Sequence, residues 1–175
     1  MTRAVITRPA TDEYAPYYGT YIGKVPDGDV RALLPAQLVE TLALIRSIPE
    51  SRGGHRYAPD KWSIKEMLGH IVDSERIFSY RALRIGRGDA TPLPGFEQND
   101  YVPMGGFDAR TLSDLADELA AVRQATTLLF AHFDAAALER RGTASGNPVS
   151  VRALAYIIAG HERHHVGILK TRYLS

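Results

Sequence analysis

Four stretches of about twenty residues each carry apolar side chains at spacings of three and four, a repeat that commits the chain to packed amphipathic helices. The first runs from about residue 30 to residue 48, with Leu34, Leu38, Leu42 and Ile45 on one face. Pro35 is expected to make its first turn irregular, and Pro49 marks its end. The second opens at WSIKEM, where Ser63 can cap the backbone, Glu66 can close a capping box, and Trp62 and Met67 take the hydrophobic-staple positions. Its stripe is Met67, Ile71, Phe78 and Ile85, and it is expected to stop before Gly86 and Gly88. The third is predicted from about residue 111 to residue 133, opened by a second capping box of Thr111 and Asp114 and buried through Leu115, Leu119, Val122, Thr126, Leu129 and Phe133. The fourth follows Asn147-Pro148 with Ser150 as its cap, and continues through Leu154, Ile158, His161, His165 and Leu169. Little reads as strand. The fold class is therefore all-α, a four-helix bundle, with residues 1–175 as a single domain long enough to bury a substantial core.

The connections are uneven. Between the second and third helices lie about 25 residues, GRGDATPLPGFEQNDYVPMGGFDAR, rich in Gly and Pro. A connection that long inside a compact domain is a lid or a binding loop, or is disordered. Its aromatic residues Phe96, Tyr101 and Phe107 favour an ordered loop over residues 86–110. Residues 1–28, tyrosine-rich from Tyr14 to Tyr21, are read as an arm docked on the bundle.

Composition excludes several function classes. With 21 basic and 20 acidic residues the formal net charge is +1, so nothing calls for nucleic acid or an anionic membrane as partner. The absence of cysteine rules out disulfides, thiolate metal sites and cysteine nucleophiles, and any metal must be held by histidine or carboxylate. The opening residues MTRAVITRPATDEY lack the apolar core of a signal peptide, and no stretch approaches the roughly 18 consecutive apolar residues of a membrane span. The expected location is the cytoplasm.

The chemistry is concentrated in GHERHHVGIL. His161 and His165 are four apart, hence about 40° apart around a helix axis, and can aim at one ion. They interrupt the apolar face carrying Leu154, Ile158 and Leu169, where two unsatisfied imidazoles would be costly. A metal satisfies both; hydrogen bonds to core or surface partners are the plainer alternative. The letters also spell the zinc-peptidase pattern H-E-x-x-H. That reading lacks a downstream ligand, because VGILKTRYLS contains no His, Asp or Glu and Gly167 is one position early for the extended motif. A third ligand has to come from across the bundle, and His70, on the flank of the second helix's stripe beside Ser74 and Arg81, is the best candidate, although a lone flanking histidine can equally be merely hydrogen-bonded.

Neighbouring groups read differently. Glu162 and His164 lie about 80° to either side of the histidine pair's direction. Glu162 is taken as solvated or salt-bridged, with a supporting or catalytic-base role as the alternative, and His164 as a non-ligand. Asp73 and Glu75 are read as supporting or surface groups. Arg81 and Arg84 are expected to pair with the loop's Glu97 and Asp100, the alternative being an anionic substrate. Arg87-Gly88-Asp89 is read as a turn and not as an adhesion motif.

The stretch KWSIKEMLGHIVDSERIFSYRALRIGRGDATPLPGFEQNDYV, followed by VSVRALAYIIAGHERHHVGILKTRY, resembles the DinB-like superfamily of four-helix-bundle metalloproteins. The resemblance extends from about residue 17 onward and rests on a W-S-x-x-E-x-x-x-H helix start combined with a late H-x-x-x-H helix. It implies that the family's three metal-binding histidines fall on His70, His161 and His165, with zinc or nickel as the typical divalent ion. Three imidazoles leave coordination positions open to water or a thiol, as in catalytic sites. The resemblance further implies a small-molecule substrate and either metal-dependent hydrolysis or S-transfer with a low-molecular-weight thiol of the bacillithiol or mycothiol kind. A homodimer fits the same precedent. The alternative is a non-catalytic, metal-stabilised binding or interaction protein.

Overall fold

The computed structural model describes residues 5–175, so the first four residues of the expected arm lie outside the described residues. Its long helices are α2 (Val30–Ser47), α3 (Ile64–Gly86), α5 (Leu112–Ala131) and α7 (Val151–Ile168), the last prolonged by a π-helical turn at Leu169–Tyr173. Shorter helices are α1 (Gly19–Ile22), α4 (Gln98–Met104) and α6 (Ala135–Glu139). The local signals act as expected at the starts. Ser63 Oγ accepts from the Glu66 N–H while the Glu66 carboxylate accepts from the Ser63 N–H. Ser150 Oγ caps α7 by accepting from Ala153 N–H. Thr111 Oγ1 accepts from Asp114 N–H, so only the first half of that capping box forms. Helix α2 runs through Pro35 without interruption.

Around the bundle the order is α2, α5, α3, α7, so consecutive α2 and α3 stand on a diagonal. Helix α3 is parallel to α5: Gly69 meets Phe107 near both starts, and Gly86 meets Phe133 near both ends. It is antiparallel to α7, with Tyr173 Oη donating to the Trp62 carbonyl at one end and Ile85 packed under Gly142 at the other. Two parallel neighbours cannot be joined by a tight turn. The chain leaving α3, a helix of 23 residues and so about 34 Å long, has to travel back along the bundle before α5 can begin. That return path is the 86–110 loop. It is ordered by α4, by the edge-to-face rings of Phe96 and Tyr101, and by Leu93, whose N–H and carbonyl pair with Thr143 and Ser145.

Leu93 pairs with a hairpin that the sequence reading passed over. Strands β1 (Arg141–Ala144) and β2 (Asn147–Ser150) are antiparallel, turning at Ser145 (φ 51°) and Gly146 (φ 73°). Two successive residues in the left-handed region define the tight turn that suits twisted strands, and the Ser-Gly pair is its sequence signal. Asn147-Pro148 therefore belongs to a strand, and the helix begins after it with Ser150 as its cap, as expected.

The arm is fastened to α7. The Glu13 carboxylate accepts from Ser150 Oγ and Arg152, and Arg8 reaches the carbonyls of Ile22 and Val25. Gly160 lets the arm approach, since a Cβ there would lie 2.1 Å from the Tyr21 carbonyl oxygen.

The buried interior has two apolar halves. One gathers Leu34, Phe78, Phe130, Leu154 and Ile158 with the arm and hairpin; the other gathers Ile45, Leu68, Leu115, Leu119 and Leu169. Between them every long helix contributes buried polar groups: Gln37 and Thr41, then His70, Ser74 and Glu75, then Arg123 and Thr126, then His161, Glu162 and His165. This polar waist positions the site. No helix among the described residues is long and apolar enough to cross a membrane.

Candidate metal centre

Antiparallel packing of α3 and α7 brings the early His70 level with the late His161 and His165. The Nε2 atoms of His70 and His161 are 3.0 Å apart, and those of His165 and His161 are 3.1 Å apart. All three residues are buried, and their candidate ligand atoms lie within 4.8 Å of one another. Burial drives each imidazole toward its neutral form. His70 falls to about 4 through burial and the nearby His164, and His165 to about 2 through burial, His70 and His164. His161 is held well below the usual histidine range by burial and then by the other three.

Hydrogen bonding does not account for this arrangement. A ring nitrogen carries one proton or one lone pair, so His161 Nε2 cannot make directed hydrogen bonds to both neighbours. His165 Nδ1 is buried with no partner. Three nitrogens around one tetrahedral ion, each at about 2.0–2.1 Å, stand about 3.3 Å from each other, close to the separations found. The donor set fits a divalent cation, with neutral imidazoles turning lone pairs to a shared centre. Ser74 Oγ, 3.4 Å from His70 Nδ1, is placed to accept its proton and leave Nε2 free to ligate. The Trp62 ring lies 4.7 Å from that of His70 and walls one side.

Two clefts reach the histidines. The first, of about 300 Å³, runs from His70 and His161 outward between Tyr17, Tyr21, Phe78 and Phe96. The second, of about 230 Å³, opens on His165 between Trp62 and Tyr173. Asn99, on α4, lines both, so the return loop roofs the site from which both clefts lead. At the mouth of the first cleft the Tyr17 and Tyr21 hydroxyls are 2.7 Å apart, and burial raises the Tyr21 pKa, keeping it protonated.

Glu162 takes the salt-bridged form of its expectation and is not solvated. At 1% exposure it accepts from Arg123 at 2.7 Å, from Thr41 Oγ1 at 2.5 Å and from Gln37. Arg123 also makes a two-pronged pair with Glu75, both contacts 2.8 Å, and donates to the Leu34 carbonyl. Burial would lower the guanidinium pKa, but Glu75 and Glu162 outweigh it and hold the charge. Glu75, like Glu162, is thus part of a buried ion network and not a surface group. Its centre, Arg123, was missed in the sequence, although its position four residues after Leu119 puts a charge on an apolar face.

The two arginines take other partners than expected, while Asp73 and His164 stand as expected. Arg81 is buried, donates to the Pro94 carbonyl and Ser145 Oγ, and lies over Phe78 and Phe96. Arg84 pairs with Asp89. Neither meets Glu97 or Asp100, because the return loop runs close to α3 and offers nearer acceptors. Asp73 is partly exposed beside Arg76, at 3.8 Å, with its pKa raised by burial. His164 packs against the Tyr21 ring and falls outside the three-histidine cluster.

No curated protein sequence matches the chain. Among solved structures it resembles YfiT from Bacillus subtilis, described as a probable metal-dependent hydrolase with an unusual four-helix bundle topology. The TM-score is 0.70 over 93% of this chain and 89% of that one, at 13% sequence identity, so the likeness is one of fold. The family model of the DinB superfamily matches residues 34–169, from the first long helix to the last, and the chain belongs to that superfamily.

Proposed function

We propose that the chain is a divalent-metal-dependent hydrolase of small molecules, with zinc or nickel held by His70, His161 and His165. The observation that carries this reading is the convergence of three buried Nε2 atoms where two open clefts end, one at His70 and His161 and the other at His165. The fold likeness to YfiT, described as a probable metal-dependent hydrolase, supports it. The ion, when bound, supplies Lewis-acid polarisation and a lowered pKa for a coordinated water or thiol.

The protein's residues shape what enters. Tyr17 and Tyr21 share one hydrogen bond, which leaves one hydroxyl proton free to orient a substrate oxygen. The rings of Tyr18, Phe78 and Phe96 present apolar walls that exclude water, while Gln98, Asn99 and Ser145 offer neutral polar contacts. With the histidines held neutral, the one charged group among the described residues lining the cleft is Glu97. Away from the ion, whose positive charge draws any anion, this lining suits an uncharged or cationic portion of a substrate, and the preference for hydrolysis over S-transfer rests on the likeness to YfiT. Glu162 is committed to Arg123, Thr41 and Gln37 and lines a different cleft, so the reading assigns it no part in proton transfer.

The test compares metal-replete and chelator-treated protein on panels of neutral esters and amides, and on electrophiles with a low-molecular-weight thiol. Ester or amide turnover that disappears on chelation and returns with zinc or nickel is the expected result. Turnover indifferent to metal would overturn the mechanism, and turnover with the thiol panel alone would replace hydrolysis by S-transfer.

A further inference from the structure

The histidines are reached from two sides, and the two approaches differ in chemistry. The first cleft ends at His70 and His161 and offers Gln98, Asn99, Ser145 and Glu97 as hydrogen-bonding partners beside its aromatic walls. The second, of about 230 Å³, ends at His165 and is lined by Tyr57, Trp62, Met67, Ile168 and Tyr173. Asp60 and Lys61, which also line it, carry opposite charges, so no net charge draws an ion in.

Three rings shape this second cleft. Tyr173, on the π-helical turn that prolongs α7, donates its hydroxyl proton to the Trp62 carbonyl at 2.6 Å, which leaves its ring to face a ligand. Tyr57 stands edge to face against it, with ring centres 4.8 Å apart and planes at 89°. The Trp62 ring lies 4.7 Å from that of His70 and 6.5 Å from that of His165, so one wall continues to the histidines. Tyr57 is 39% exposed, and Trp62 and Ile168 are half-buried, so apolar surface remains open. Such walls are complementary to a further ring, whose positive edge meets a negative face and whose apolar area is removed from water. Asn99 of α4 lines both clefts, and beneath it they meet at His161 and His165, whose Nε2 atoms are 3.1 Å apart. A molecule that occupies both clefts has its middle at the three nitrogens.

We infer that the second cleft is the subsite for a neutral aromatic group on one side of the scissile bond, the first cleft taking the polar remainder. The substrate class is then an ester or amide joining an aromatic group to a polar, uncharged or cationic one. In its hydrolysis the oxygen of water bonds to the carbonyl carbon, the bond to the alcohol oxygen or amine nitrogen breaks, and the departing atom takes a proton from the water. The reaction rests on the hydrolytic reading; the aromatic subsite is testable without turnover.

Trp62 is the only tryptophan of the chain and lines the second cleft, so its fluorescence reports what enters there. Metal-free protein is titrated with the quencher 4-nitrobenzyl alcohol, which is then displaced with benzyl alcohol, cyclohexylmethanol or choline. The expected result is saturable quenching, with benzyl alcohol binding about fivefold more tightly than cyclohexylmethanol or choline. Tyr57→Ala, at an exposed position and folded by circular dichroism, should weaken benzyl alcohol about tenfold, while Phe96→Ala, in the first cleft, should not. Quenching that never saturates, or displacement as strong by cyclohexylmethanol or choline, would overturn the inference. So would affinity that Phe96→Ala lowers or Tyr57→Ala leaves unchanged. With zinc or nickel restored, benzyl acetate or methyl phenylacetate, which carry the ring on either side of the ester bond, should show kcat/KM about tenfold above methyl acetate, an advantage that shrinks in Tyr57→Ala. Equal kcat/KM for the three esters would overturn the assignment as well. Saturable, ring-selective binding with no turnover of any ester would support the aromatic cleft and overturn the hydrolytic reading alone.

Discussion

His70 Nε2 lies 3.0 Å from His161 Nε2 across 91 residues of sequence, joining two antiparallel helices at one point. A shared ion at that point adds its binding free energy to the folded state alone. At a free concentration a thousand times Kd that amounts to about 4 kcal/mol. For a domain of this size it corresponds to roughly 8–16 °C in Tm. Chelation should lower Tm by that order, and His70→Ala should purify without stoichiometric zinc or nickel by elemental analysis. Full metal content in His70→Ala would remove it from the site.

The metal-free protein should also lose stability toward mild acid. Burial lowers the pKa of His70 to about 4 and of His165 to about 2, and that of His161 well below the ordinary value of 6.5. Between pH 6.5 and 4 the unfolded chain therefore binds more protons than the folded one, and stability rises with pH. Their contribution is complete above pH 6.5 and declines as the pH falls through that window. Denaturant titrations of chelated protein at pH 7.5, 5.5 and 4.5 should show a falling midpoint, with a shallower decline in His165→Gln. A flat profile would mean that the histidines are not held neutral.

The helices and the histidine pair were legible because both depend on local periodicity. Leu34, Leu38, Leu42 and Ile45 need only a 3.6-residue repeat, and His161 with His165 need only to share a face with Leu154 and Ile158. The diagonal placement of α2 and α3 was not legible, because which amphipathic face meets which is decided by the whole bundle. The length of the 86–110 loop was seen, but its topological cause, the parallel packing of α3 and α5, was not. Asn147-Pro148 is equally at home before a helix and in an edge strand, and the helix reading hid the Ser145-Gly146 turn. Arg123 carried a usable signal: a charge on the face of Leu119 has to find a buried partner.

Arg123 joins Glu75 and Glu162 where the two apolar halves of the core meet. Removing it leaves two carboxylates buried and uncompensated. Arg123→Ala should cost about 3–5 kcal/mol in chemical denaturation, a large share of the stability of such a domain. Glu162→Gln separates structure from catalysis. It should lower the denaturation midpoint while leaving metal stoichiometry and the pH dependence of any turnover unchanged. A shifted pH profile with unaltered stability would make Glu162 a proton carrier after all.

Gly160 is the narrowest point between the arm and the bundle. A methyl group there would sit 2.1 Å from the Tyr21 carbonyl oxygen and 2.4 Å from its carbon, both backbone atoms that cannot swing aside. Gly160→Ala should therefore push α1 away from α7, at a cost of about 1–3 kcal/mol. The same displacement would shift Tyr21, whose ring centre is 5.3 Å from that of His161 and whose hydroxyl pairs with Tyr17. The wall of the first cleft would open while the three histidine nitrogens stayed in place. Hydrogen exchange should quicken at the Gly23 and Lys24 amides, which bond to the carbonyls of Gly19 and Tyr21, with metal content preserved. Protection and Tm as in the wild type would show that the arm absorbs the methyl group and that its docking does not depend on Gly160.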